Sequence, residues 1–201
     1  MPENDTYKTI RSASSGQYKE KGSRFIAVAI PVGSMEEVKT QLEHLRKQYH
    51  DARHHCYAYR LGEEPYEFRY NDDGEPSGTA GKPIYGQIQS FELTNILVVV
   101  IRYFGGVKLG TGGLIQAYRA AARNALENGI IISKTFNLNL EIKFDYSQMN
   151  AVMRVIKEEG LRVIRQDSGQ YCCIMLEINK SSFEHVNKKF SSINLTDLRV
   201  I

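Results

Sequence analysis

The sequence ILVVVIRYFGGVKLGTGGLIQAYRAAARNALEN occupies residues 96–128 and decides the fold around it. Its unbroken aliphatic run, Ile96–Ile101, predicts the most buried strand of the protein, extending over Ile96–Phe104. Apolar residues recur at helical spacing after the glycines, so a helix is predicted over Leu114–Asn128, with Gly129 as its stop. A buried strand, a glycine-rich loop and a helix therefore follow one another directly.

The loop Gly105–Gly113 has the composition of an anion-binding site. Five of its nine residues are glycine, and exposed backbone N–H groups at the start of a helix attract anions. No carboxylate occurs from Leu93 to Leu126, whereas four cations do: Arg102, Lys108, Arg119 and Arg123. The loop is not a P-loop, because Thr111 stands where the lysine belongs. The alternative is a tight connection whose glycines serve packing alone.

A second loop, Asn71–Gly81, reads NDDGEPSGTAG and is rich in turn-forming residues. Its carboxylates Asp72, Asp73 and Glu75 suit Mg²⁺, which prefers oxygen ligands, and Ser77 adds a hydroxyl. The closing glutamate of an EF-hand is missing. The same composition is typical of a solvated turn, so the metal and turn interpretations both stay open.

The predicted strand Arg53–Leu61 places His54 and Cys56 on one face, because side chains alternate along a strand. Two ligands are too few for a zinc site. A Cys–His nucleophile pair is one interpretation. The other is a buried apolar cysteine, since the neighbours of Cys56 are small or apolar.

Tyrosine is the commonest aromatic residue, with twelve copies and no tryptophan. Four tyrosines fall on a hairpin predicted from Arg53–Leu61, a turn at 62–65 and Tyr66–Tyr70; they are Tyr57, Tyr59, Tyr66 and Tyr70. They could stack on bases beside arginines. They could equally form cross-strand pairs that stabilise a sheet.

The remaining patterns predict two domains, residues 1–134 and 135–201. In the first domain, a further strand is predicted at Phe25–Val32. One further helix is predicted to begin at the capping-box residues Ser34 and Glu37 and to end near Tyr49, and another to cover Pro83–Phe91. Together with the strands above, these elements predict an α+β domain of two layers, a sheet covered by helices.

The second domain is predicted to follow the order β-α-β-β-α-β, the ferredoxin-like pattern. Its predicted elements are a strand at Phe136–Phe144, a helix from Met149 that stops at Gly160, strands at Leu161–Arg165 and Tyr171–Ile178, a helix from the capping-box pair Ser181 and Glu184 to Phe190, and a strand at Leu195–Ile201. About 65 residues suffice for this fold without disulfides.

Composition limits the class of protein. The 201 residues are 42% apolar and 24% charged, which excludes a disordered or fibrous chain. No apolar run approaches the roughly twenty residues of a membrane span. The polar N-terminus has no signal-peptide pattern, and three cysteines, two of them adjacent, make no disulfide framework. We expect a cytoplasmic protein; its net charge of +3 does not by itself imply a nucleic-acid partner.

Three motifs together resemble the YigZ/IMPACT family in order and spacing: DARHHCYAYR at 51–60, DDGEPSGTAGKPI at 72–84, and VVVIRYFGGVKLGTGGLIQAYRAA at 98–121. The resemblance implies an N-terminal domain similar to the second domain of a small-subunit ribosomal protein and to domain IV of elongation factor G. It also implies a C-terminal domain similar to domain V of that factor. The motif positions carried over are His54, Asp73, Gly74, Glu75, Gly78, Arg102, Phe104, Gly105, Gly106, Lys108, Leu109 and Gly110.

The resemblance brings no established reaction. The eukaryotic members of the family imply a role in translational control, but their partner in a kinase pathway is not expected for a bacterial-type chain. By fold analogy, the resemblance also implies binding to RNA or the ribosome. The first hypothesis is therefore a non-enzymatic, translation-associated protein that contacts RNA or the ribosome, with no cofactor, metal or catalytic residue. The predicted RNA- or anion-binding residues are Arg102, Gly105, Gly106, Lys108, Gly110, Arg119 and Arg123. The predicted second loop of the site contains His54, Asp73, Glu75 and Ser77.

Two other functions remain. An enzyme acting on a phosphorylated or nucleotide substrate would hold phosphate on the glycine loop, with Asp73 and Glu75 holding Mg²⁺ or acting as base. A protein-interaction module, with a partner in the translation machinery, would use its sheet surfaces. The choice among these functions depends on whether the acidic and basic loops touch. If they do, their charges neutralise each other and are not available to a ligand.

Overall fold

The computed structural model describes residues 5–63, 65–169 and 171–201. Residues 1–4 of the predicted first domain and residue 64 of the predicted turn lie outside this part of the chain. The chain divides into two compact units, residues 8–133 and residues 134–201 with 5–7. No helix in the described ranges is long and apolar enough to cross a membrane.

The described residues form both strands and α-helices in each of the two units. The strands are β1 Thr6–Ile10, β2 Ser14–Glu20, β3 Ser23–Pro31, β4 His54–Leu61, β5 Glu67–Asn71, β6 Ile96–Tyr103, β7 Ile131–Thr135, β8 Asn137–Phe144, β9 Arg162–Ser168, β10 Cys172–Asn179 and β11 Asp197–Val200. The α-helices are α1 Met35–Gln48, α2 Gly81–Ser90, α3 Gly110–Glu127, α4 Met149–Glu158 and α5 Phe183–Phe190.

An antiparallel sheet in the order β2-β3-β6-β4-β5 organises residues 8–133. β6 is its central strand, and its side chains enter two cores. Ile96, Val98 and Val100 pack with α2 and α3, whereas the alternate residues, including Val99, pack with α1. The predicted burial of this strand is confirmed, because helices cover both of its faces. The α+β class is likewise confirmed, but α1 adds a third layer to the predicted two.

The helix α1 begins as its sequence predicts. The Ser34 hydroxyl accepts a hydrogen bond from the Glu37 N–H at 3.2 Å, and the Glu37 carboxylate accepts one from the Gly33 N–H at 2.8 Å. The first bond satisfies a backbone donor that the first turn of a helix leaves free, and the second ties the residue before the cap to the helix. The N-terminal cap is confirmed, with the return bond made one residue earlier than in a standard capping box.

Residues 137–200 have the predicted β-α-β-β-α-β order, and their sheet runs β11-β8-β10-β9 with antiparallel neighbours. This is the ferredoxin-like arrangement. One detail of the prediction is wrong. Ser181 does not cap α5: its N–H donates to the Asp5 carboxylate at 2.9–3.0 Å, and the helix begins at Phe183 without a side-chain cap.

Close packing of α3 against the edge strand β2 depends on Gly16. A Cβ at this position would lie 2.4 Å from the backbone nitrogen of Ala125 on α3. We expect Gly16→Ala to lower the free energy of unfolding by about 1–3 kcal/mol, because a helix must move to make room. Urea denaturation measures the change. Ser15→Ala at the exposed neighbouring position should change it by less than about 0.5 kcal/mol; equal losses would show that this contact is not limiting.

Candidate functional site

The acidic loop 71–81 turns its carboxylates towards its own domain. The Asp72 carboxylate accepts hydrogen bonds from the N–H groups of Gly78 at 2.8 Å, Ala80 at 3.0 Å and Gly81 at 2.8 Å. These donors stand at the start of α2, where a negative charge also interacts favourably with the helix dipole. Asp72 thus caps α2 from a distance along the chain.

Asp73 fastens the loop to β4. Its carbonyl accepts a 2.8 Å hydrogen bond from Nδ1 of His54, and its carboxylate accepts one of 2.7 Å from the backbone N–H of His55. Arg46 of α1 lies 3.5 Å from the same carboxylate. Asp73 holds a φ of 41°, in the left-handed region that few side chains adopt. Three partners on two elements hold this conformation in place.

Glu75 enters the interior and meets a cation from the glycine-rich segment. Its Oε1 atom lies 2.6 Å from Nη1 of Arg102 and accepts a 2.8 Å hydrogen bond from the Tyr118 hydroxyl. The Glu75 and Arg102 side chains are only 4% and 7% exposed. The Nε2 atom of His54 lies 4.0 Å from the same oxygen. The acidic and basic segments therefore touch through a buried ion pair.

The thiol of Cys56 belongs to this buried network. Its Sγ lies 3.0 Å from the Asp72 carbonyl and 3.3 Å from the Tyr118 hydroxyl, either of which can accept its single S–H proton. Burial, reinforced by the nearby carboxylates of Glu75 and Asp73, raises the pKa of Cys56 well above its usual range. Burial likewise raises the pKa of Tyr118. Because a nucleophilic cysteine must be a thiolate, the Cys–His nucleophile interpretation is disfavoured.

The magnesium interpretation of the acidic loop finds no ligand set. Asp72, Asp73 and Glu75 each bind different protein donors. Within the described ranges, no group of three or more His, Cys, Asp or Glu side chains is placed to hold a metal ion. The acidic loop therefore has a structural role: its carboxylates hold it against β4, α2 and Arg102 of β6.

The glycine-rich loop presents two kinds of glycine. Gly105 is required by packing, because a Cβ there would lie 1.9 Å from the backbone of Gly22; its N–H also donates to the Ser23 hydroxyl at 3.2 Å. Gly106 and Gly110 have φ values of 86° and 71° and face open space. The predicted packing role thus applies to Gly105, whereas Gly106 and Gly110 are exposed and have no close neighbour among the described residues.

The helix α3 begins at Gly110 rather than at the predicted Leu114. Its first turn contains Gly112, which has no positive φ and no described neighbour within 4 Å of the position that a Cβ would take. Leu109 at the N-cap position makes no side-chain cap, no other described side chain accepts a hydrogen bond from this helix start, and no acidic residue lies in its first turn. Its N–H groups are therefore left to solvent or to an external partner.

The predicted cations separate into three groups. Arg102 is interior and paired, so it is not the surface contact that the sequence predicts. Arg123 is exposed but paired with Glu127 at 2.7 Å. Lys108 and Arg119 are exposed, and no residue in the described part of the chain forms a hydrogen bond or ion pair with the side chain of either. Ser77 is exposed on the acidic loop, whereas His54 is largely covered.

Two important residues were absent from the predicted site. Tyr118 joins Glu75 to Cys56, and a single tyrosine among the alanines of α3 was the available signal for a buried polar contact. Lys82, the exposed cation at the start of α2, lines one groove together with Arg119 of α3. Its sequence neighbours are acidic-loop residues, so only the fold reveals this pairing.

Comparison with known proteins agrees with this architecture. Residues 21–126 match the Impact N-terminal domain. The chain belongs to the IMPACT family. It is 30% identical to IMPACT family member YigZ of Escherichia coli (strain K12), with 90% of each protein covered. It is also 33% identical to family member YvyE of Bacillus subtilis (strain 168), covering 76% of this chain and 70% of that one.

A solved structure shares this fold, and a further family member is similar in sequence. A crystal structure of a protein described only as hypothetical is 27% identical and has a TM-score of 0.72, covering 98% of this chain and 97% of its own. An IMPACT family member from Thermus thermophilus is 46% identical over 104 residues, about half of each protein. The resemblance indicated by the three sequence motifs is confirmed.

The buried ion pair gives a first test of the site. We expect Glu75→Ala to lower the free energy of unfolding by about 3–5 kcal/mol, because it leaves the Arg102 charge buried without a partner. Glu127→Ala removes the partner of the exposed Arg123 and should cost less than about 1 kcal/mol. Urea unfolding of both variants makes the comparison; similar small losses would contradict a structural role for Glu75.

The pH dependence of stability gives a second test. Burial lowers the pKa of His55, with Asp73 partly opposing the shift. The folded state therefore favours neutral His55, and its contribution should be complete above the unfolded pKa of about 6.5 and decline as the pH falls below it. Urea unfolding at two pH values on either side should show a smaller pH effect in His55→Gln. The exposed His44→Gln should behave like the parent; if both variants do, the assignment is wrong.

Proposed function

We propose that this chain is a non-enzymatic, translation-associated protein that contacts RNA or the ribosome through the surface formed by the glycine-rich loop and α3. One observation carries the proposal: the segment from Leu93 to Leu126 contains no carboxylate, and two of its exposed cations, Lys108 and Arg119, have no partner among the described residues. They lie on the glycine-rich loop and on α3, whose start no described side chain caps. Phosphate groups fit this combination of free N–H donors and positive charge.

The glycines support contact with a polymer backbone. Gly106, Gly110 and Gly112 face open space, so their positions leave room for the approach of an external chain. The family resemblance supports translation as the setting, through the translational role that it implies for eukaryotic members. The interior position of Arg102 narrows the predicted RNA-binding set to the loop and the exposed part of α3.

An enzyme is the weaker proposal. It would require Asp73 and Glu75 to hold a metal ion or accept a proton, and both are engaged by donors of their own domain. A protein-docking role has one observation in its favour: Phe104 and Val107 are 54% and 52% exposed on the same loop. A protein contact there would depend on these two apolar side chains and would respond weakly to salt.

The salt dependence of RNA binding tests the proposal. We expect the affinity for a single-stranded RNA to fall steeply with salt, because each phosphate contact releases counterions. Lys108→Ala should weaken binding to all sequences alike and reduce the slope of log affinity against log salt by about one. Fluorescence anisotropy with a labelled oligonucleotide at several salt concentrations gives both quantities.

Lys39→Ala is the matched control, because this exposed lysine lies on α1, across the sheet from α3. It should leave affinity and slope unchanged. RNA binding that ignores salt, or that loses as much affinity in Lys39→Ala as in Lys108→Ala, would refute the proposed surface. Loss of a captured protein in Phe104→Ala, with no RNA binding by the parent, would favour the docking role instead.

A further inference from the structure

A groove of about 660 Å³ lies between β5, α2 and α3, beside the proposed RNA surface but separate from its glycine loop. Its volume is within the range of sites that hold small organic ligands. The described residues that line it include Lys82 and Arg119 and no carboxylate. Within the described ranges neither cation forms an ion pair. The groove thus offers two unneutralised positive charges to an anion.

An aromatic platform borders the groove. Phe68 of β5 stacks on Tyr85 of α2, with ring centroids 4.7 Å apart and planes at 16°. Tyr70, two residues further along β5, lies against the same ring at 6.0 Å and is 42% exposed. Tyr70 opposes Ala58 in the sheet, and Tyr57 and Tyr59 oppose Asn71 and Arg69. None of these pairs is the aromatic cross-strand pair that the sequence allowed.

A glycine in the lining has no structural cause among the described residues. Gly86 lies in the interior of α2, where glycine costs about 1 kcal/mol relative to alanine. It has no positive φ, and no described atom lies within 4 Å of the position its Cβ would take. Neither strain nor packing therefore demands glycine here. The absence of a side chain leaves open the part of the groove that Gly86 lines together with Tyr85 and Arg119.

We propose that this groove holds one nucleotide of a single-stranded RNA, with its base stacked on the exposed ring of Tyr70 and its phosphate held by Lys82 and Arg119. The inference rests on the proposed function. It adds that the protein recognises an unpaired base of the RNA as well as its phosphate backbone. Because every base has a face that can stack, the groove should prefer single-stranded RNA of any sequence. Double-stranded RNA hides its base faces and is excluded from this groove.

The test compares two labelled oligomers of about ten units, an oligo(A) RNA and an abasic oligomer with the same number of phosphates. The parent protein should bind oligo(A) about tenfold more tightly. Gly86→Leu, which fills the groove, and Tyr70→Ala should both reduce this preference to about one, whereas Tyr70→Phe should retain it. Ser90→Leu places the same side chain at the exposed end of α2, outside the groove, and should leave the preference unchanged.

Folding is monitored in parallel. Gly86→Ala should raise the melting temperature by about 2–4 °C, since alanine favours the helix and meets no neighbour. A parent that binds both oligomers equally, or a Gly86→Leu variant that keeps the preference while Lys108→Ala weakens binding, would overturn the groove and leave the proposed function standing. Failure of the parent to bind either oligomer would overturn both.

Discussion

The ion pair between Glu75 and Arg102 closes the domain formed by residues 8–133. Two charges with almost no solvent contact are tolerated only when they neutralise each other and find further hydrogen bonds. The Tyr118 hydroxyl supplies one such bond, and it draws Cys56 and α3 into the same network. The acidic loop is consequently fixed on β4, and Asp72 is placed where it caps α2.

This ion pair distinguishes the charged side chains that stabilise the fold from those that are free to bind a partner. The Glu75 carboxylate neutralises Arg102. On α2, the glycine-rich loop and α3, the cations without a carboxylate partner among the described residues are Lys82, Lys108 and Arg119. They lie along α2, the glycine-rich loop and α3, on one side of the sheet, whereas α1 covers the other. The loop that resembles a catalytic site by composition thus serves the fold, and the binding that we propose is assigned to the surface beside it.

The sequence predicted the elements whose signals are local. The aliphatic run of β6, the cap at Ser34 and the alternation of β8 each specify their structure without distant partners. It did not predict β1 and β2, whose polar residues gain their strand conformation from neighbours far along the chain. The site was harder to predict than the fold. Whether Arg102 is a surface cation or a buried partner depends on its contact with Glu75, which is distant in sequence. The start of α3 at Gly110 was not predicted because glycines usually break helices.

The most direct measurement is ultraviolet crosslinking of the full-length protein to single-stranded RNA, followed by mass spectrometry of the attached peptides. The account predicts crosslinks within residues 104–119 and at the aromatic residues of β5, with none on α1. Crosslinks concentrated on α1, or distributed evenly over the surface of the domain, would contradict the assignment of the RNA-binding face.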